Sequence, residues 1–260
     1  MSAITTEMSH TLRETYDRDG YLILRGVLNG ADLDELRDAI DSPLLQHERE
    51  INKRADYGGL SIIHDIIHLH PAFLKMARHP GMLDVVEGLV GPNIEIQHDK
   101  INWKPVEQNA GEVKWHQDFP YLPHSNFDVC AAFIVLDETR PENGCMRVIP
   151  GSHKLGQLSH VDENGKLLRH VNDDRFDESR HEAVDLQLSP GDISIHHVLA
   201  LHSSYPNRAA NPRCAIIYEY RAADAMQIAG GLTKSTGVLV RGQASKTVRC
   251  DAGVVWLPPK

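Results

Sequence analysis

The chain has 260 residues, 41% hydrophobic and 24% charged, with a formal net charge of −9. Its length suits one domain, 1–260, with a buried core, and its composition is ordinary for a soluble globular protein. The acidic balance and the lack of a Lys/Arg-rich run disfavour nucleic acid, whose phosphates need a basic face, and no run of about 18 apolar residues is present to span a membrane.

A small molecule is therefore the expected partner. The polar stretch Met1 to Thr15 has no apolar core of a signal peptide. The four cysteines, Cys130, Cys145, Cys214 and Cys250, form no Cys-x-x-Cys pair. That argues against a structural zinc site and for reduced thiols in a cytoplasmic protein.

Taken in order, residues 8–19 read as a polar helix ended by Gly20, and Tyr21 to Leu24 as a short strand. Gly30-Ala31-Asp32 opens a helix with Leu33, Leu36, Ala39 and Ile40 at helical spacing, stopped near Pro43. Residues 44–60 are polar and read as loop. A further helical region covers 71–90, interrupted at Pro80-Gly81 and closed by Gly91-Pro92.

After residue 92 the pattern changes. Strands are expected over 94–104, 112–116, 127–136, 146–149, 183–188, 192–195, 200–204 and 213–220, separated by Pro/Gly/Asn turns. A helical prelude to about 91 followed by a strand-rich core over about 92–222 predicts a mainly β sandwich or barrel with helices packed on one side. Residues 152–182, rich in His, Asp, Glu, Asn and Arg, read as a long polar surface insertion of the kind that carries function.

The chemistry centres on Trp115-His116-Gln117-Asp118. His116 and Asp118 are two apart, so in a strand they share a face. Imidazole plus carboxylate supplies two ligands of a mononuclear metal site. With 16 His in the chain, about one His-x-Asp is expected by chance. A second occurs at His160-Val161-Asp162, within the polar insertion and with no strand to aim it. The third ligand has candidates in His196, His197 and His202. If 205–212 is a hairpin connection, Ser204 and Arg213 face each other across two strands, about 5 Å apart. A hydroxyl and a guanidinium so placed make a carboxylate receptor. His64-Asp65-x-x-His68 has the spacing of a helical zinc site but has Asp where the protease base is Glu and breaks at His70-Pro71, so no metal is expected there, and facing the substrate pocket is left as an open alternative.

Several motifs together resemble the phytanoyl-CoA dioxygenase family of Fe(II)/2-oxoglutarate oxygenases. They are Gly91-Pro92-Asn93, Lys104-Pro105, Trp115-His116-Gln117-Asp118, Glu142-Asn143-Gly144-Cys145, Pro150-Gly151-Ser152-His153-Lys154, Gly191-Asp192, and His202 through Arg213. The resemblance implies a double-stranded β-helix (jelly roll, cupin-like) with N-terminal helices on one sheet. It implies that His116, Asp118 and His202 bind Fe(II), and that Arg213 with Ser204 binds the distal carboxylate of 2-oxoglutarate. Lys100 falls where relatives contact that cosubstrate. Ala132 stands where animal members carry a Trp, which implies a roomier pocket. The charges balance: +2 from iron, −1 from Asp118, −2 from 2-oxoglutarate and +1 from Arg213. Such a facial triad leaves three positions open, two for the 2-oxo acid and one for O2. The implied reaction is C–H hydroxylation with release of succinate and CO2, and Asp118 argues against a halogenase. A cupin-like hydrolase or isomerase without 2-oxoglutarate, and a non-catalytic jelly-roll binding module, are the rival readings.

Overall fold

The computed structural model describes residues 6–54, 59–106, 111–229, 235–255 and 257. Residues 1–5 of the polar N-terminus and 55–58 of the expected loop lie outside it.

Proline starts three of the helices among the described residues. The helices are α1 (Thr6–Asp19), α2 (Gly30–Ile40), α3 (Pro43–Ile51), α4 (Pro71–Ala77) and α5 (Pro80–Val90). A proline in the first turn gives up no helical hydrogen bond and presets φ. Pro43 therefore opens α3 where the sequence suggested a stop and a loop. One fully buried side chain, Leu45, anchors that helix. α2 is capped by Asn29, whose side chain accepts from the Ala31 and Asp32 amides.

The strands are β1 (Tyr21–Leu24), β2 (Lys53–Arg54), β3 (Leu60–His64), β4 (Ile94–Lys104), β5 (Val113–His116), β6 (Val129–Val135), β7 (Met146–Val148), β8 (Val184–Asp185), β9 (Ile193–His197), β10 (His202–Ser204), β11 (Arg213–Ala222) and β12 (Val238–Arg241). They form two antiparallel sheets, a large one in the order β1-β9-β6-β11-β4-β3-β2, with β12 also on β4, and a small one in the order β5-β10-β7-β8. This is the cupin-like jelly roll. The helical prelude also supplies β1, β2 and β3 to the large sheet, and β12 joins from beyond the expected core.

Alternation on the long strands sorts the layers. On β11, Cys214, Ile216, Tyr218 and Tyr220 point to the helices and join the main apolar core. Tyr218 and Tyr220 donate their hydroxyls to the Phe73 and Ala77 carbonyls of α4 at 2.8 and 2.9 Å. Arg213, Ile217 and Glu219 point the other way, into a cavity between the sheets. Beyond the small sheet lies a third layer. Leu158, Val171 and Phe176 of the polar insertion cover Trp115, Ile149 and Leu201. The few apolar residues of that insertion are the ones that seat it.

Burial keeps several histidines uncharged. It pushes His124 and His160 down to about 4 and His197 down to about 3. The unfolded chain protonates the same groups near 6.5. Acidification from pH 6.5 towards 4 therefore loads protons on the unfolded chain alone, and each histidine costs up to about 1.4 kcal/mol of stability per pH unit. Chemical denaturation at pH 7.5, 6 and 5 should show stability falling with pH; a flat profile would contradict neutral burial.

Candidate metal centre

Two imidazoles meet because two strands place them opposite each other. His116 ends β5, His202 opens β10, and they are direct partners in the ladder. Opposed side chains of such a pair are close neighbours, and here the ring centroids are 4.1 Å apart. Asp118 arrives by another route. After His116 the chain leaves the strand, and Asp118 takes helical dihedrals (φ −76°, ψ −34°) before a 3-10 turn, Phe119–Tyr121. Strand alternation thus does not bring Asp118 beside His116. Instead the Asp118 and Phe119 amides both donate to the Val198 carbonyl at 3.1 Å, which pins the turn to the β9–β10 connection.

Asp118 Oδ1 lies 3.8 Å from His116 Nε2 and 3.7 Å from His202 Nε2. The three donor atoms all fall within 4.8 Å of one another. His116 Nδ1 donates to the Lys114 carbonyl at 2.9 Å, and His202 Nδ1 to the Ala200 carbonyl at 3.0 Å. A protonated Nδ1 leaves a bare lone pair on Nε2, the form that binds a metal. Burial pushes both histidines down, so both are neutral. Burial alone would raise the Asp118 carboxyl, but His202, His196 and His116 pull it well below its ordinary value. Two neutral nitrogens and one carboxylate, on one side of an open cavity, fit Fe(II) with three positions free.

Of the three candidate third ligands, His202 completes the triad. His196 sits behind Asp118, with Nε2 3.1 Å from Oδ2. His197 faces the other way, against Tyr16 and His153.

The second His-x-Asp match is no metal site, yet it serves the first. His160 is buried, and its Nε2 accepts from the Gln117 amide at 3.0 Å while Nδ1 donates to the Leu158 carbonyl. The Gln117 side chain donates to the carbonyls of Gly156 and Leu199 and accepts from the Leu158 amide, each at 2.8 Å. The insertion is thereby bolted to the ligand-bearing turn. Asp162 only caps a turn, accepting from the Asn164 and Lys166 amides.

Opposite the triad the same cavity is lined by Lys104, Ser204 and Arg213. The expected hairpin is absent. β10 belongs to the small sheet and β11 to the large one, so 205–212 crosses between sheets and Ser204 faces Arg213 across the cavity rather than along a ladder. The ladder partner of Arg213 is Lys104. Lys104 donates to Ser204 Oγ and the Gly111 carbonyl, each at 2.7 Å, and to the Tyr205 carbonyl. With its oxygen already accepting from Lys104, the Ser204 hydroxyl is free to donate into the cavity. Arg213 donates to the Gly144 carbonyl at 3.0 Å and stacks over Phe133. Its Nε is buried without a partner among the described residues. Burial pushes Arg213 down to about 10, and burial together with Arg213 pushes Lys104 well below its ordinary value. A buried guanidinium with an unpartnered Nε calls for an anion. Strand alternation marks Lys104 as well, since it shares a face of β4 with Lys100 and Asn102 and all three line the cavity.

Lys100 lines the cavity, and its ammonium is 3.0 Å from Glu219 Oε1. Ala132 does not line it. Ala132 points to the helix-side core, whereas Ala131 and Phe133 face the cavity, so the roomier pocket implied by Ala132 is not found. A second cavity of about 330 Å³ adjoins the triad and is lined by His64, His98, Lys100, Arg169 and Glu219. His64 thus faces a pocket, while His68 lines a separate groove; Asp65, at φ 57°, breaks any helix between them.

The model of the phytanoyl-CoA dioxygenase family matches residues 16–215. The chain belongs to that family, whose members couple Fe(II) and 2-oxoglutarate to oxidation. A relative described as a probable alpha-ketoglutarate-dependent hypophosphite dioxygenase, from Stutzerimonas stutzeri, is 35% identical over 63% of this chain and 58% of its own length. The L-proline trans-4-hydroxylase of Streptomyces griseoviridis is 25% identical over 79% of this chain and 83% of its own. The fold is shared with the epimerase SnoN, solved with Fe3+, alpha ketoglutarate and nogalamycin RO, at TM-score 0.75 and 23% identity over 91% of this chain and 100% of that one. For this family member, no described helix is long and apolar enough to cross a membrane.

The brace formed by His160 can be tested directly. His160→Ala should weaken Fe(II) or Co(II) affinity on the order of tenfold, as loss of a supporting hydrogen bond does; an unchanged affinity in a folded variant would reject the role.

Proposed function

We propose that this chain is an Fe(II)- and 2-oxoglutarate-dependent dioxygenase of one catalytic domain, 1–260. It oxidises a C–H bond of a small polar or charged organic molecule and releases succinate and CO2. One observation carries the reading: a single cavity holds the His116–Asp118–His202 donor set at one end and the buried cation Arg213 at the other. The iron supplies activation of dioxygen at the expense of 2-oxoglutarate; the remaining tasks belong to the protein. His116, Asp118 and His202 hold the metal. Arg213 and the Ser204 hydroxyl bind the distal carboxylate of 2-oxoglutarate, with Lys104 orienting Ser204. Phe133 and Ile217 wall the space between and exclude water.

The substrate enters through the adjoining cavity. Lys100, His64, His98 and Arg169 line it with Glu219, which favours a compact anion or zwitterion over a long apolar chain. The relative named for hypophosphite is consistent with a small anionic substrate. Lys100 borders both cavities, and we place it between cosubstrate and substrate. Buried free thiols at Cys130, Cys145 and Cys214 support a cytoplasmic enzyme. A cupin-like hydrolase or isomerase is not favoured, because it gives Arg213 nothing to bind.

Anaerobic addition of Fe(II) and 2-oxoglutarate should produce a visible charge-transfer band. Asp118→Ala should abolish the band and succinate formation; full activity in that variant would mean the ligands are misassigned. Arg213→Ala should weaken 2-oxoglutarate binding by roughly 30-fold or more, the usual consequence of removing one partner of a buried charge pair, with iron affinity nearly unchanged. An unaltered cosubstrate requirement would reject Arg213 as the anchor.

A further inference from the structure

Asp118 has two carboxylate oxygens, and they have different neighbours. Oδ1 faces His116 and His202, whereas Oδ2 is 3.1 Å from His196 Nε2. His196 lies on β9, is 3% exposed, and has its ring centroid 4.4 Å from that of His202. It comes from the large sheet, while His116 and His202 come from the small one. An ionised carboxylate can only accept, so the proton of a neutral His196 sits on Nε2. That assignment leaves Nδ1 as a lone pair, buried and unpartnered among the described residues.

We propose that His196 is a positioning residue that restrains Asp118 to one-oxygen coordination. This rests on the reading of His116, Asp118 and His202 as metal ligands. A carboxylate beside a divalent cation binds through one oxygen or through both. Binding through both would occupy one of the positions that the 2-oxo acid and dioxygen require. The His196 N–H engages Oδ2 and leaves Oδ1 alone to face the two imidazoles. His196 itself stands outside the donor cluster formed by His116, Asp118 and His202.

The test needs no turnover. His196→Leu removes the donor at similar volume, and His196→Gln keeps an amide N–H. Each metal-free protein is loaded with Co(II), whose visible bands report coordination number, and 2-oxoglutarate is titrated without oxygen. In His196→Leu, Co(II) affinity should stay within about threefold of the parent, 2-oxoglutarate should bind about tenfold or more weakly, and the Co(II) spectrum should change, on the scale of outer-shell substitutions. His196→Gln should recover most of the cosubstrate affinity. An unchanged spectrum and affinity in folded His196→Leu would overturn the proposal, as would loss of Co(II) binding in both folded variants, which would make His196 a ligand. Should His196→Leu fail to fold, His196→Asn, whose amide falls short of Oδ2, makes the same comparison against His196→Gln. Co(II) binding that survives intact in Asp118→Ala would instead overturn the ligand reading itself.

Discussion

One cavity keeps two buried charges of opposite sign apart. A carboxylate ringed by imidazoles lies at one end and the Arg213 guanidinium lies at the other. Burying such groups is costly unless something balances them. A divalent metal at Asp118 and a dianion reaching to Arg213 would neutralise both ends at once. The surrounding architecture serves that arrangement: the small sheet brings His116 and His202 into register, the large sheet brings Lys104 and Arg213 into register, and the two sheets face each other across the gap.

The layers outside the sandwich keep it rigid. Helices α4 and α5 cover the far face of the large sheet, tied down by the Tyr218 and Tyr220 hydroxyls. The polar insertion covers the far face of the small sheet, tied down by Gln117 and His160. A ligand-bearing turn such as that of Asp118 has no ladder to hold it. Its position depends on hydrogen bonds from its own amides to the Val198 carbonyl, and on the Gln117 lock next to it, so the insertion is part of the site even though it supplies no metal ligand. Arg169, delivered by that insertion, reaches the adjoining cavity and links the same segment to substrate entry.

The outline was legible from local signals, and the errors have specific causes. Strand alternation identified β4, β6 and β11 because each is long enough to show a period. α3 escapes a local reading because Pro43, at its first turn, has the look of a helix stop, and β3 because a strand buried on both faces carries no alternation. The supposed Ser204–Arg213 hairpin failed because a connection of eight residues can fold back or cross to another sheet, and sequence spacing is the same for both. Resemblance places Ala132 in the cavity, yet the parity of β6 sends it to the helix side. The role of His160 leaves no local signal because its partner, Gln117, is 43 positions away.

By itself the sequence determined which chemical groups are available: the histidines, the aspartate, the buried arginine, and the strand and helix periods that assign most of them to a face. Those are properties of a few neighbouring residues, and local sterics and hydrophobic alternation suffice to specify them. Only the tertiary structure decided which groups meet. It chose His202 over His196 and His197, set Lys104 beside Arg213, placed Ser204 across a gap rather than along a strand, and gave Asp118 a second partner. Each of those choices depends on how two sheets are stacked and how a turn is pinned, which no window of neighbouring residues encodes.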